Sequence, residues 1–149
     1  MTITQFLREH VSIFEGIHPD LAHSMARRIE QKVFKKGQTV LFRGSTVDGL
    51  HVVASGKVSV HAKGQSGGAP VKVADLGPGE VLGEISIVNH GTAGATVRCD
   101  EDDTTIFVLP QNAFKAIMTF NPDVEERTRS LIAKRKAELA AATGSRRPA

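Results

Sequence analysis

Between Lys32 and Leu109 the chain consists of short extended runs separated by turn residues, and no other feature restricts its fold as tightly. The runs are Thr39–Phe42, Leu50–Val53, Lys57–His61, Val71–Ala74, Ala95–Arg98 and Thr105–Val108. Gly37, Gly44, Gly56, Gly67-Gly68 and Pro78-Gly79 punctuate them. Runs this short between turn signals read as strands, and their close spacing predicts a β-roll or jelly roll. Val58 and Val60 alternate with Lys57, Ser59 and His61, which predicts a strand with one wet face. Gly64 to Ala69, rich in glycine and serine, reads as a mobile loop tip.

The flanks follow a different period. Phe6, Val11, Phe14 and Ile17 recur near helical spacing, and Leu21, Met25 and Ile29 recur every four residues, so a helix is expected over Pro19–Gln31 with proline at its first position. After Pro110 the helical period returns at Phe114, Ile117 and Met118. Asn121-Pro122-Asp123 then supplies a cap, a first-turn proline and an acid for a long final helix through Ala142. Val124, Thr128, Leu131, Arg135 and Leu139 share one face of it. The expected class is α+β in a single domain over 1–143: helices over 1–31, a roll over 32–109, helices over 111–142, and a flexible tail at 144–149.

Composition removes several function classes. With 40% apolar and 23% charged residues, the chain has the makeup of a globular domain. Its single cysteine, Cys99, cannot form an internal bridge, which fits a reducing compartment. No apolar run approaches the roughly 18 residues a membrane span needs, and no signal peptide is evident, so a cytoplasmic protein is expected. The six histidines form no His-x-His or His-x-x-x-His pair, so no metal site is expected. Ser55, Ser59 and Ser86 lack a nucleophile-elbow context, and Gly77-Pro78-Gly79-Glu80 lacks the lysine and hydroxyl of a triphosphate loop. No enzymatic activity is expected, and no cofactor.

One segment has the look of a binding cassette. Leu82-Gly83-Glu84-Ile85-Ser86-Ile87-Val88 places a glycine and an acid ahead of an apolar run, a pattern for a sharp turn into a short helix with free amides at its start. The loop that leads to Thr96-Val97 is His90-Gly91-Thr92-Ala93-Gly94-Ala95, and it contains neither arginine nor lysine.

Taken in order, Ile13-Phe14, Phe34-Lys35-Lys36-Gly37-Gln38, Phe42-Arg43-Gly44, Val52 to Val58, Leu76 to Glu80, Leu82 to Ile87, and Ala95-Thr96-Val97 resemble the cyclic nucleotide-binding domain family over about Phe6 to Leu139. The resemblance implies a β-roll with N-terminal helices, a short cassette helix and a C-terminal helix pair. It also implies that Glu84 accepts a hydrogen bond from the ribose 2′-hydroxyl, and that Gly83, Ile85, Ser86, Gly94, Ala95 and Thr96 surround ribose and phosphate. An arginine that pairs with the cyclic phosphate belongs at the position of Ala93. Losing that cation forfeits a charge-assisted bond worth roughly 1.5–3 kcal/mol. Arg98 is a poor substitute, because an odd separation along a strand directs it to the opposite face. Arg135 is the better rescue candidate, although an arginine there can simply snorkel across apolar surface. No guanine-specific signal is present, since Gly94 stands where a threonine would be expected; cAMP is favoured over cGMP.

With the last helix expected to run almost to the end of the sequence, the DNA-reading helices of the family's transcription factors are not expected here. The first expectation is therefore a stand-alone, receptor-like regulatory module that acts by protein–protein interaction, with cyclic nucleotide binding weakened or lost. A working cAMP or cGMP sensor that repositions its last helix is the alternative. A basic nucleic-acid-binding accessory protein using Arg127 to Arg147 is a third, less favoured for want of interleaved aromatics. A homodimer through Val124, Leu131 and Leu139 is compatible with the pattern, as is simple closure of the roll by the same residues.

Overall fold

A computed structural model of the chain describes residues 1–63, 69–88 and 92–143. The expected loop tip at Gly64 to Ala69 falls largely outside them, as does the tail at 144–149. Eight strands, named β1 to β8, are present among the described residues: Glu30–Phe34, Thr39–Leu41, Gly49–Ser55, Val58–Ala62, Val71–Leu76, Val81–Leu82, Thr96–Cys99 and Thr104–Pro110. They form two four-stranded antiparallel sheets, ordered β1-β8-β3-β6 and β2-β7-β4-β5. The helices are α1 (Ile3–His10), α2 (Pro19–Ala26), α3 (Glu84–Val88), α4 (Gln111–Phe120) and α5 (Pro122–Thr143), with a 3-10 turn at Ser12–Phe14. The fold is the β-roll flanked by helices that the sequence implies.

The two sheets enclose one apolar layer, and the helices enclose a second. β8 explains both: Ile106 and Val108 pack inside the roll with Val53, Val58, Leu76, Leu82 and Val97, while Phe107 and Leu109 face the helical core of Leu7, Phe14, Met25, Phe114 and Val124. A strand covered on both faces needs no polar alternation, hence the unbroken run Ile106 to Leu109. β3 behaves alike, with Leu50 and Val52 toward the helices and Val53 toward the roll interior.

Four local expectations are corrected in whole or in part. The helix expected over Pro19–Gln31 ends at Ala26, because Glu30 to Phe34 pairs with β8 in register from Val108 to Thr104 and finds its backbone partners there. Val11, Phe14 and Ile17 are buried as their spacing suggests, yet α1 closes at His10 and a 3-10 turn carries the chain onward. Ser59 does not lie on a wet face: it is 2% exposed, its hydroxyl donating to Asp100 Oδ1 at 3.0 Å and lying 2.8 Å from His61 Nε2. Asn121 stands at the cap position of α5, its carbonyl accepting from the Val124 and Glu125 amides, but its side-chain amide donates back to the Ile117 carbonyl of α4 at 2.8 Å.

Ser59, His61 and Asp100 invite comparison with a hydrolytic triad, but the order is wrong. The carboxylate holds the serine proton, so the histidine has none to take.

Candidate functional site

Gly83 aims the cassette. It adopts φ +90° between β6 and α3, and an added Cβ would lie 2.9 Å from Val47 Cγ1 and 3.2 Å from the Gly49 carbonyl oxygen. Left-handed backbone and close packing together admit only glycine there. Gly83→Ala is expected to destabilise the domain by about 1–2 kcal/mol, measured by urea denaturation. Behind Gly83 lies His51, 7% exposed, its Nδ1 donating to the Gly49 carbonyl at 2.9 Å. Desolvation by burial pushes its pKa below the ordinary 6.5, against a smaller opposing effect of that hydrogen bond. The unfolded chain therefore binds the His51 proton more readily than the folded one. Its contribution to stability is present above about pH 6.5 and is lost as pH falls below it. His51→Asn, which retains a donor for Gly49, should flatten the fall in melting temperature between about pH 7 and 5.

From Gly83 the chain enters α3, and Glu84 at its first position turns inward. The residue is 1% exposed. Its Oε1 accepts from Arg135 Nη1 at 2.6 Å, and the same guanidinium nitrogen donates to the carbonyl of Val81. Arg135 reaches the site because α5 packs across β5 and α3, with Val124, Thr128 and Ile132 of that helix buried on the domain. Oε2 of Glu84 is buried and has no hydrogen-bond partner among the described residues. Leaving such an acceptor unsatisfied costs about 1–3 kcal/mol.

Glu84 and Arg135 line a recess that opens to solvent. Its walls are mainly aliphatic: Leu41, Val47, Val60, Val73, Leu76 and Val97 from the roll, and Leu139 from α5. Of the cassette residues expected from sequence, Gly83, Glu84, Ile85, Ser86, Ala93, Gly94 and Ala95 all line it. Thr96 does not: its hydroxyl accepts the Arg43 amide at 3.2 Å, and its neighbour Val97 faces the recess instead. Ala93 is 7% exposed, its amide donating to the Ser45 carbonyl and its own carbonyl accepting from Gly44, while Ser86 Oγ donates to the carbonyl of Thr92. Ala93 is therefore held by its backbone on both sides where it lines the recess.

The sequence expectation on compensating arginines resolves into two positions. Arg98 is exposed and lines no part of the recess. Arg135 does enter it, and is the recess's single cationic side chain among the described residues, but it is spent on Glu84 and Val81. The aliphatic strand residues of the wall, Val60, Val73 and Leu76, were not among the expected site residues. Alternation marks Val60 along β4 and Val73 along β5, but Leu76 is out of phase with Val71 and Val73 and carries no such signal. No group of three or more histidine, cysteine or acidic residues able to hold a metal occurs among the described residues, and none of their helices is long and apolar enough to cross a membrane.

A family model described as the cyclic nucleotide-binding domain matches residues 31–121, more than half of the chain and all of the cassette. The chain belongs to the cyclic nucleotide-binding domain family. Among relatives of this family, the cyclic AMP receptor protein of Thermus thermophilus is 29% identical over 126 residues, covering 85% of this chain and 57% of that protein. The crystal structure of the Thermus thermophilus catabolite activator protein superposes with a TM-score of 0.73 at 28% identity, over 87% of this chain and 60% of that one. The regulatory subunit of a cAMP-independent protein kinase A from Trypanosoma cruzi, bound to guanosine, gives a TM-score of 0.77 at 21% identity, over 98% of this chain and 51% of that one; that likeness shows the fold. This cyclic nucleotide-binding domain spans just over half the length of the Thermus relative.

Of the three residues expected at a homodimer seam, Val124 is fully buried in the domain core, while Leu131 and Leu139 are half-buried, the one packed against that core and the other lining the recess. The basic stripe is interrupted. Arg127 donates to the Glu15 carbonyl at 2.7 Å, Arg129 pairs with Glu125 at 3.0 Å and Arg135 is turned inward, while Arg146 and Arg147 lie outside the described residues.

Proposed function

We propose that this domain is a regulatory module of the cyclic nucleotide-binding type in which recognition of the cyclic phosphate is weak or lost, and that it acts through a protein partner. One observation carries the reading. Ala93, where the family resemblance expects the phosphate-pairing arginine, lines the recess without a charge, and the recess's arginine is committed to Glu84. A phosphate anion brought there would be desolvated with no charge to meet it. The fold itself is compatible with independence from cAMP, since the kinase regulatory subunit from Trypanosoma cruzi that shares it is described as cAMP-independent.

The exposed face of α5 is the natural output surface, because the buried face of that helix reads the recess through Arg135 and Leu139. A working cAMP sensor would require Arg135 to leave Glu84 and meet the phosphate instead. Ligand could shift α5 only by binding one such arrangement better than the other. Thermal unfolding followed while cAMP and cGMP are titrated separately tests the proposal. The expected result is no shift at about 100 µM of either; a rise of several degrees in that range would overturn it.

A further inference from the structure

Resting on the reading that the recess does not hold a phosphate anion, we infer that it takes an uncharged nucleoside, with a ribose hydroxyl donating to Glu84 Oε2. The pairing of Glu84 is incomplete in a directed way. Arg135 covers Oε1, whereas Oε2 is buried without a partner in a residue that is 1% exposed and lines the recess. A buried carboxylate oxygen asks for a hydrogen-bond donor, and a ligand hydroxyl supplies one without displacing Arg135.

Charge decides what else the ligand carries. The wall holds two carboxylates, Glu84 and Glu138, against the one guanidinium of Arg135. An anion would add to an excess of negative charge in a partly dry site, and a neutral molecule would not. Glu138 is exposed and its share is screened, but Glu84 already consumes the cation at 2.6 Å.

Shape decides the remainder. Away from Glu84 the recess is aliphatic, walled by Leu41, Val60, Val73 and Leu139. A ligand that fits has a hydroxylated end for Oε2, a flat, largely apolar body for the aliphatic wall and no phosphate. A ribonucleoside has these parts in one molecule. A free sugar lacks the apolar body, and a nucleotide brings the unwanted anion.

The test is calorimetric titration of the unmodified chain with adenosine and guanosine, each beside its 2′,3′-dideoxy analogue and its 3′,5′-cyclic monophosphate. At least one ribonucleoside is expected to saturate the site, to bind about tenfold or more tighter than its dideoxy analogue, and to bind tighter than its cyclic monophosphate. Absence of binding by both ribonucleosides up to about millimolar, or equal affinity for ribo and dideoxy forms, overturns this inference. If the cyclic nucleotides also fail to bind, the proposed loss of phosphate recognition stands without it. If a cyclic monophosphate binds more tightly than its nucleoside, both are wrong.

Discussion

Replacing Arg135 by alanine is expected to destabilise the domain by about 3 kcal/mol. Its guanidinium is the only hydrogen-bond partner of the Glu84 side chain among the described residues, and that carboxylate is 2% exposed. Truncation strands a buried charge that already has one unsatisfied oxygen, and removes the tie between α5 and the carbonyl of Val81. In a chain of this size the loss corresponds to a fall in melting temperature on the order of 10 °C. The double substitution Glu84→Gln with Arg135→Met removes both charges, and should recover much of the loss. Denaturation of Glu84→Gln, of Arg135→Met and of the double variant gives the coupling energy directly. A loss below about 1 kcal/mol for Arg135→Ala would mean that α5 is held by Val124, Thr128 and Ile132 alone.

Installing the missing cation is the second large effect. Ala93→Arg should raise affinity for cAMP by about tenfold to a few hundredfold, the worth of a charge-assisted hydrogen bond to phosphate. Ala93 lines the recess from a loop pinned on both sides, by its amide to Ser45 and its carbonyl to Gly44. A guanidinium carried from that position is expected to reach the recess, and it would also offset the excess of carboxylate in the wall. The gain should appear in calorimetric titration of the variant beside the unmodified chain. Unchanged affinity would show that residue 93 does not face the phosphate.

Much of this site is legible in the sequence because its elements announce themselves locally. Gly83-Glu84 ahead of an apolar run marks the cassette, the Ala93 loop follows it closely, and the spacing of Leu131, Arg135 and Leu139 places one arginine on the inward face of α5. What sequence does not show is the pair. Glu84 and Arg135 are 51 residues apart, and their meeting depends on how α5 lies across β5 and α3. β1 escapes notice for a related reason: four of its five residues are exposed, so no alternation betrays it, and Ile29 continues the four-residue spacing of Leu21 and Met25. β6 is two residues long and exists only through its pairing with β3. Ser59 misleads because a polar residue at an outward position usually meets water, whereas here Asp100 and His61 cover it.

The central claim is that a family cassette has kept its glutamate and lost its phosphate cation, so that Glu84 is bound from within by Arg135. Calorimetric titration of cAMP into the unmodified chain tests it most directly. A dissociation constant weaker than about 100 µM, or no measurable heat, is the predicted result; saturable one-to-one binding at about 1 µM would contradict it.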